Sequence, residues 1–196
     1  IGATLELTVD MLQDRLGAHV IVTQIPIGLE SQFEGVIDLL RMETNRWEGD
    51  LGESVIVAPL DPSDALYEDA ALAREAMVEA IADVDEVTME KFLESGSESF
   101  SIDFLVEAIR RVTIQSKGVA VLCGSSLKNK GVQPLLDAVV SYLPSPLDRP
   151  PVSALRLKDD VVVERRPTLE EPLLALALQV VADAPRRSLA CTRVCA

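Results

Sequence analysis

Residues Gly118 to Leu143, GVAVLCGSSLKNKGVQPLLDAVVSYL, constrain this chain more than any other stretch. A short apolar run, Val119 to Cys123, is followed at once by a polar turn, Gly124 to Gly131, and an amphipathic helix, Val132 to Leu143. A continuous apolar run bounded by turn residues predicts an inner strand of a parallel sheet, covered on both faces. Open α/β sheets place ligand sites in the loops at the carboxyl ends of such strands. The successive small residues of Gly124-Ser125-Ser126 can aim backbone N–H groups at an oxyanion or a carbonyl oxygen.

Taken from its start, the chain changes period several times. Leu5, Val9, Leu12 and Leu16 share one helical face, with Gly17 as the stop. From Val20 the period becomes that of strands, in VIVTQIPIG, FEGVIDLL, RMETNRW and SVIVAP, separated by Gly28, Gly35, Gly49-Asp50 and Gly52. This predicts a small, mostly antiparallel sheet with Pro26 at an edge or bulge, since proline has no N–H for a ladder. Asp61 and Pro62 are suited to open a helix. Leu66, Ala70, Ala73, Met77, Ala80 and Val84 form its apolar stripe, while Glu68, Asp69, Glu75 and Glu79 lie off it. A shorter helix is expected around Val87 to Leu93, and GSESFS closes the segment.

Ser101 can cap the next helix, with Ile102, Leu105, Ile109 and Val112 as its buried face. After Leu143, Pro144-Ser145-Pro146 and Pro150-Pro151 stiffen the chain, and ALRLKDDVVVERRPTLEEP reads as a polar connector. LLALALQVVADAPRRSLACTRV then reads as two strands around a turn at Asp183 to Ser188. An isolated pair of strands is marginally stable, so the rest of that sheet is expected elsewhere. The organisation is therefore an α/β fold carrying an α+β insertion: a helix in 1–20, the insertion in 21–100, a return to the α/β unit in 101–147, a linker in 148–170 and an incomplete β unit in 171–196.

Charge is distributed unevenly. Between Ile21 and Leu105 there are 20 acidic and 4 basic residues, a net of −16, whereas the remaining 12 acidic and 14 basic residues give +2. An acidic block of that size repels nucleic acid and favours a basic protein partner, unless it is a solvated surface and no more. Three cysteines, Cys123, Cys191 and Cys195, are too few and odd in number for a secreted disulfide framework. No apolar run is long enough to span a bilayer, so no membrane role is expected. The single histidine, His19, has no base or nucleophile beside it and reads as a surface residue; no triad and no metal-ligand spacing is present, Cys191-x-x-x-Cys195 being the nearest approach.

GSSLKNKGVQPLLDAVVSYLPSP resembles the last guanine-recognition motif of the elongation factor G family and the helix that follows it. The family pattern is Gly-Ser-Ala-x-Lys-Asn-Lys-Gly-Val-Gln-x-Leu-Leu-Asp-Ala-Val. Gly2-Ala3, Arg15-Leu16-Gly17-Ala18, Gln24-x-Pro26-Ile27-Gly28, Phe33-x-Gly35, Asp38-Leu39 and LALALQVVAD are similar to the same family in the same order. The resemblance implies the C-terminal part of a P-loop-type GTPase domain with its insertion, followed by the start of a β-barrel domain. It implies a translational GTPase that binds GTP and acts on the ribosome in translocation or in ribosome recycling. Ser125, Ser126 and Leu127 match the backbone donors to the guanine carbonyl oxygen, and Ser126 stands where Ala is usual. Lys128 and Asn129 match by type and are expected to shape the turn.

The same resemblance implies that the acidic helix, with Glu68, Asp69, Glu75 and Glu79, faces the ribosomal stalk of the large subunit. Ribosome recycling factor is a further partner it suggests. No Gly-rich loop ending in Gly-Lys-Ser/Thr is present, so the phosphate and magnesium sites, the switches and the catalytic histidine are expected upstream of Ile1, and this chain alone is expected to be inactive. Asn129-Lys130-Gly131-Val132 imitates Asn-Lys-x-Asp without the Asp that pairs with guanine. Arg187-Ser188-Leu189-Ala190-Cys191 replaces the usual Gly-x-Leu-x-Phe of the barrel strand. Ala108 to Thr113 and Val121 to Ser125 resemble the second mitochondrial, ribosome-recycling form, and this resemblance implies a mitochondrial matrix location, with a bacterial cytoplasm as the alternative. The other reading of the whole chain is a truncated, non-catalytic module whose acidic insertion binds the stalk.

Overall fold

The structure, a computed structural model, describes residues 4–49, 52–96, 100–183 and 187–194. It is a mixed α/β fold in two compact units, Ile1–Leu143 and Pro144–Ala196. Gly2 and Ala3, Asp50, and the centre of GSESFS lie outside the described residues, as does Cys195.

The first unit opens with helix α1, Leu5–Leu16. Thr4 caps it by accepting the Leu7 N–H on its hydroxyl, and Gly17 ends it in the left-handed region at φ 61°. Strand β1, Val20–Val22, then runs parallel to β6, Val119–Val121, with Val20 opposite Val119. Between them lies a four-stranded antiparallel meander: β2, Gln24–Ile27; β3, Gly35–Asp38; β4, Glu43–Glu48; and β5, Ser54–Pro59. Pro26 stands on β2, an edge strand, as its missing N–H requires.

Three helices follow the sheet: α2, Tyr67–Ala82; α3, Glu86–Ser95; and α4, Ile102–Ile114. Their apolar faces and the sheet share one core, in which Ile21, Ile37, Leu39, Met77, Val78, Ile81, Leu105 and Ile109 are almost wholly excluded from water. Arg74 reaches into it from α2 and donates to the carbonyls of Leu39, Leu40 and Phe100, groups that neither sheet nor helix would otherwise pair. Asp85 caps α3, accepting from the Thr88 N–H and hydroxyl, and also holds Arg111 of α4 at 2.7 Å. After β6 comes a loop containing a single 3-10 turn, Ser126–Lys128, and then helix α5, Val132–Tyr142.

Several expectations need correction. The run after Gly118 forms only three strand residues, half-buried or exposed, paired on one side with β1; it is not a strand covered on both faces. Asp61 does not open a helix. Its carboxylate is taken by the Ser63 N–H and hydroxyl in a tight turn, Asp64 holds the Leu66 N–H, and α2 starts at Tyr67. Ile102 is 39% exposed because it sits in the first turn of α4, before the helix reaches the core. His19 is half-buried, and its Nε2 lies 2.5 Å from the Ala80 carbonyl, tying the start of β1 to α2.

The second unit contains two hairpins. The span expected as a polar connector holds an antiparallel pair, β7, Val152–Arg156, and β8, Val161–Arg165. Val152, Ala154, Val161 and Val163 supply a period of two on either side of a Lys-Asp-Asp turn, which charge content alone obscures. Asp159 fixes that turn through a bidentate contact with Arg156. Strands β9, Ala175–Asp183, and β10, Arg187–Val194, pair antiparallel with a register shift between Cys191 and Thr192. The turn expected between them lies largely outside the described residues.

Candidate nucleotide-recognition loop

The loop from Gly124 to Gly131 is a closed structure with a narrow neck. Ser125 and Lys130 form a bridge, the Ser125 N–H donating to the Lys130 carbonyl at 2.8 Å and the Lys130 N–H returning to the Ser125 carbonyl at 3.0 Å. A Cβ on Gly124 would come within 2.8 Å of the Lys130 carbonyl oxygen, and one on Gly131 within 2.7 Å of the Cys123 oxygen, so both neck positions require glycine. Above the neck, the Lys128 N–H donates to the Ser125 carbonyl and the Asn129 N–H to the Ser126 carbonyl. Asn129 then turns the chain through the left-handed region at φ 52°, a conformation asparagine tolerates.

This geometry sorts the three predicted donors. The Ser125 N–H is spent on the bridge, which the sequence pattern did not reveal. The N–H groups of Ser126 and Leu127 open the 3-10 turn and have no partner among the described residues, as expected for the first donors of any helical turn. Two adjacent, exposed donors of this kind suit a carbonyl oxygen. Ser126 also borders a cleft of about 190 Å³ with Leu122, Cys123, Lys130 and Leu135. A backbone N–H does not depend on the side chain, so serine at position 126, where the resemblance expects Ala, leaves that donor intact.

Neighbouring groups position the loop rather than offer chemistry. Cys123 gives its thiol to the Gln24 carbonyl at 3.4 Å, and burial, with the charge of Glu6 adding to it, pushes the thiol up to about 11. That makes it a poor nucleophile near neutral pH. Trp47, buried on β4, donates its indole N–H to the Gln133 side chain at 3.2 Å, at the start of α5. Nothing in the sequence pattern paired Trp47 with Gln133, which are 86 positions apart.

The acidic residues form a second, separate feature. Glu68, Asp69, Glu75 and Glu79 are all exposed on α2, and Glu68, Leu72, Glu75 and Glu79 share one face, with Leu72 61% exposed at its centre. The one cation of that helix, Arg74, is turned into the core and does not neutralise them.

No family model matches the sequence. Elongation factor G of Thermotoga maritima is 44% identical over 183 residues, which is 93% of this chain and 26% of that protein. Elongation factor G of Thermotoga neapolitana is 43% identical over the same length and coverage. The family these relatives support is elongation factor G. A crystal structure from Thermus thermophilus matches 98% of this chain and 25% of its own, with a TM-score of 0.71 at 22% identity, which supports the fold alone. The chain thus spans about a quarter of the length of the elongation factor G proteins it matches.

Proposed function

We propose that this chain is the guanine-recognition end and acidic insertion of a GTP-binding translation factor of the elongation factor G type. In this reading the Ser126 and Leu127 N–H groups receive the guanine carbonyl oxygen, while Ser125 holds the loop closed behind them. The observation that carries it is the pair of adjacent unpartnered donors above a glycine neck, in the motif with the strongest family resemblance. The sequence holds no phosphate-binding loop, so this chain supplies one wall of a pocket whose phosphate and magnesium sites belong to other residues. The parent protein then couples GTP hydrolysis to translocation or recycling on the ribosome. The similarity of Ala108 to Thr113 and Val121 to Ser125 to the recycling form supports that branch and a mitochondrial matrix location, a bacterial cytoplasm being the other reading.

Ser126→Pro provides the test. It removes one N–H at a first-turn position where proline fits, after a residue already extended at ψ 93°. In a full-length protein carrying this sequence, GDP affinity should fall about tenfold, the worth of one hydrogen bond in a partly closed site. The loss should disappear for a 2-aminopurine nucleotide, which lacks the carbonyl. Equal losses for both nucleotides would overturn the assignment, and micromolar GTP binding by this chain alone would overturn its incompleteness.

The exposed acidic face of α2 favours a second reading, in which the insertion docks a basic stalk domain, with Leu72 as an apolar anchor among Glu68, Asp69, Glu75 and Glu79. Reversing these four charges should slow ribosome-stimulated GTP turnover of the full-length protein. Unchanged rates at low salt would remove the docking face.

A further inference from the structure

We infer that the antiparallel sheet of the insertion is the positioning element of the recognition loop, and that Gly52 and Trp47 are the residues through which it acts. The loop closes on itself through its glycine neck, the Ser125–Lys130 bridge and its own 3-10 turn. Three contacts from outside the loop come from the sheet and its connections. Gly52, buried in the β4–β5 connection, lies flat against the turn: a Cβ there would stand 2.8 Å from the Asn129 oxygen and 3.0 Å from the Lys128 oxygen. These are backbone atoms, so the contact cannot be relieved by swinging a side chain aside. They also belong to the two residues that follow the Ser126 and Leu127 donors, so a shift there re-aims both N–H groups.

Two further contacts act from the same side. The Trp47 indole fixes Gln133 at the far end of the loop, and the Lys130 ammonium donates to the Phe33 carbonyl at 3.4 Å, ahead of β3. The sheet therefore meets the loop at its crest, at its returning limb and at the first turn of α5. Whatever displaces the β4–β5 connection must also displace the crest. A recognition loop fixed in this way has its donors pre-set before any ligand arrives, which is how a backbone site gains affinity without adding contacts.

The same connection contains an internal control. Gly49 also has a positive φ, 83°, so a side chain strains it as it would Gly52 at 59°, but a Cβ on Gly49 meets only the flexible Glu53 side chain. Gly52→Ala and Gly49→Ala thus share backbone strain and differ in contact with the loop. Amide hydrogen exchange of this chain, read by NMR, separates them. Gly52→Ala should speed exchange at the bridged Ser125 and Lys130 amides by about tenfold, as expected for overpacking against backbone, and Gly49→Ala by less than about twofold. Trp47→Phe keeps an aromatic side chain but removes the indole N–H together with part of the ring; it should shift the Gln133 and Val132 amide signals and speed exchange about threefold, and it serves if Gly52→Ala does not fold. Equal effects from Gly49→Ala and Gly52→Ala, or undisturbed loop amides in Trp47→Phe, would overturn the inference.

A nucleotide arm rests on the guanine reading above and tests it separately. In a full-length protein carrying this sequence, GDP release should quicken by the same factor as exchange. Faster exchange with unchanged GDP release would support the positioning role and overturn the guanine assignment.

Discussion

Helices α4 and α5 are of similar length, both amphipathic, and packed on one another, yet they end in opposite conditions. Helix α4 buries Leu105, Ala108, Ile109 and Val112 in the core it shares with the sheet and α2. Helix α5 buries only Ala138, leaving Leu136 59% and Val140 80% exposed. Helix α1 goes further and buries none of its residues. The sheet, α2 and α4 bury one another, whereas α1 and α5 present apolar residues that the described residues leave uncovered. An apolar stripe states that a helix has a side to bury and says nothing about where the partner is encoded.

The largest effects should fall on the closed side. Leu105→Ala removes a fully buried side chain at the centre of the core and should cost about 3 kcal/mol, followed through the fluorescence of Trp47, the sole tryptophan, during urea unfolding. A cost below about 1 kcal/mol would mean that the core collapses readily and that the two sides differ less than their burial suggests.

Next comes the polar clamp of the same region. Burial alone would push the Asp85 carboxyl up, but Arg111 and Thr88 outweigh it and hold the group below its usual value of 3.8. A depressed carboxylate stabilises the fold above the unfolded value, and that contribution fades as pH falls through the folded one. The urea midpoint of the wild type should therefore drop more steeply below about pH 4 than that of Asp85→Asn. At neutral pH Asp85→Ala should cost about 2 to 3 kcal/mol, because it removes a cap and leaves Arg111 without its carboxylate.

Helix caps offer a matched pair across the divide. Ser101 caps α4 and Thr4 caps α1 by the same side-chain-to-backbone bond. Ser101→Ala should cost about 1 kcal/mol in global stability, since α4 unfolds with the core. Thr4→Ala should leave the urea midpoint almost unchanged and instead lower helical circular dichroism, since a helix with no buried residue frays alone. Equal shifts in midpoint would show that α1 is as integral to the unit as α4.

The same division explains what the sequence could disclose. Hydrophobic period located α1, the meander strands, α3 and α4 because each of those signals is local, and Gly17 and Ser101 mark ends by local chemistry as well, whereas the Thr4 cap emerged only in the structure. The loop after β6 was legible as a strand-to-helix turn because its glycines and small residues lie within eight positions, and a role in nucleotide recognition was expected only from the family resemblance. What stayed hidden was which partner each polar group takes. Locally, the Ser125 N–H is lost to a bridge with Lys130 and Asp61 is diverted to Ser63, while Trp47 and Gly52 reach the loop from a strand and a turn some eighty positions away. The hairpin of β7 and β8 was masked differently, by the charges clustered around its turn and at the end of β8, which hide a short apolar period of two.

The smallest expected effect is the most telling about the open side. Leu136 on α5 is more than half exposed, so Leu136→Ala removes little surface that folding hides and should cost less than about 0.5 kcal/mol in this chain. In a full-length protein carrying this sequence, the same substitution should cost about 2 kcal/mol or more if the elongation factor G reading is right, because the missing elements would then cover that face. A small cost in both settings would mean that the face of α5 is a true solvent surface. A large cost in the short chain alone would point instead to self-association through α5, which would appear as a urea midpoint rising with protein concentration.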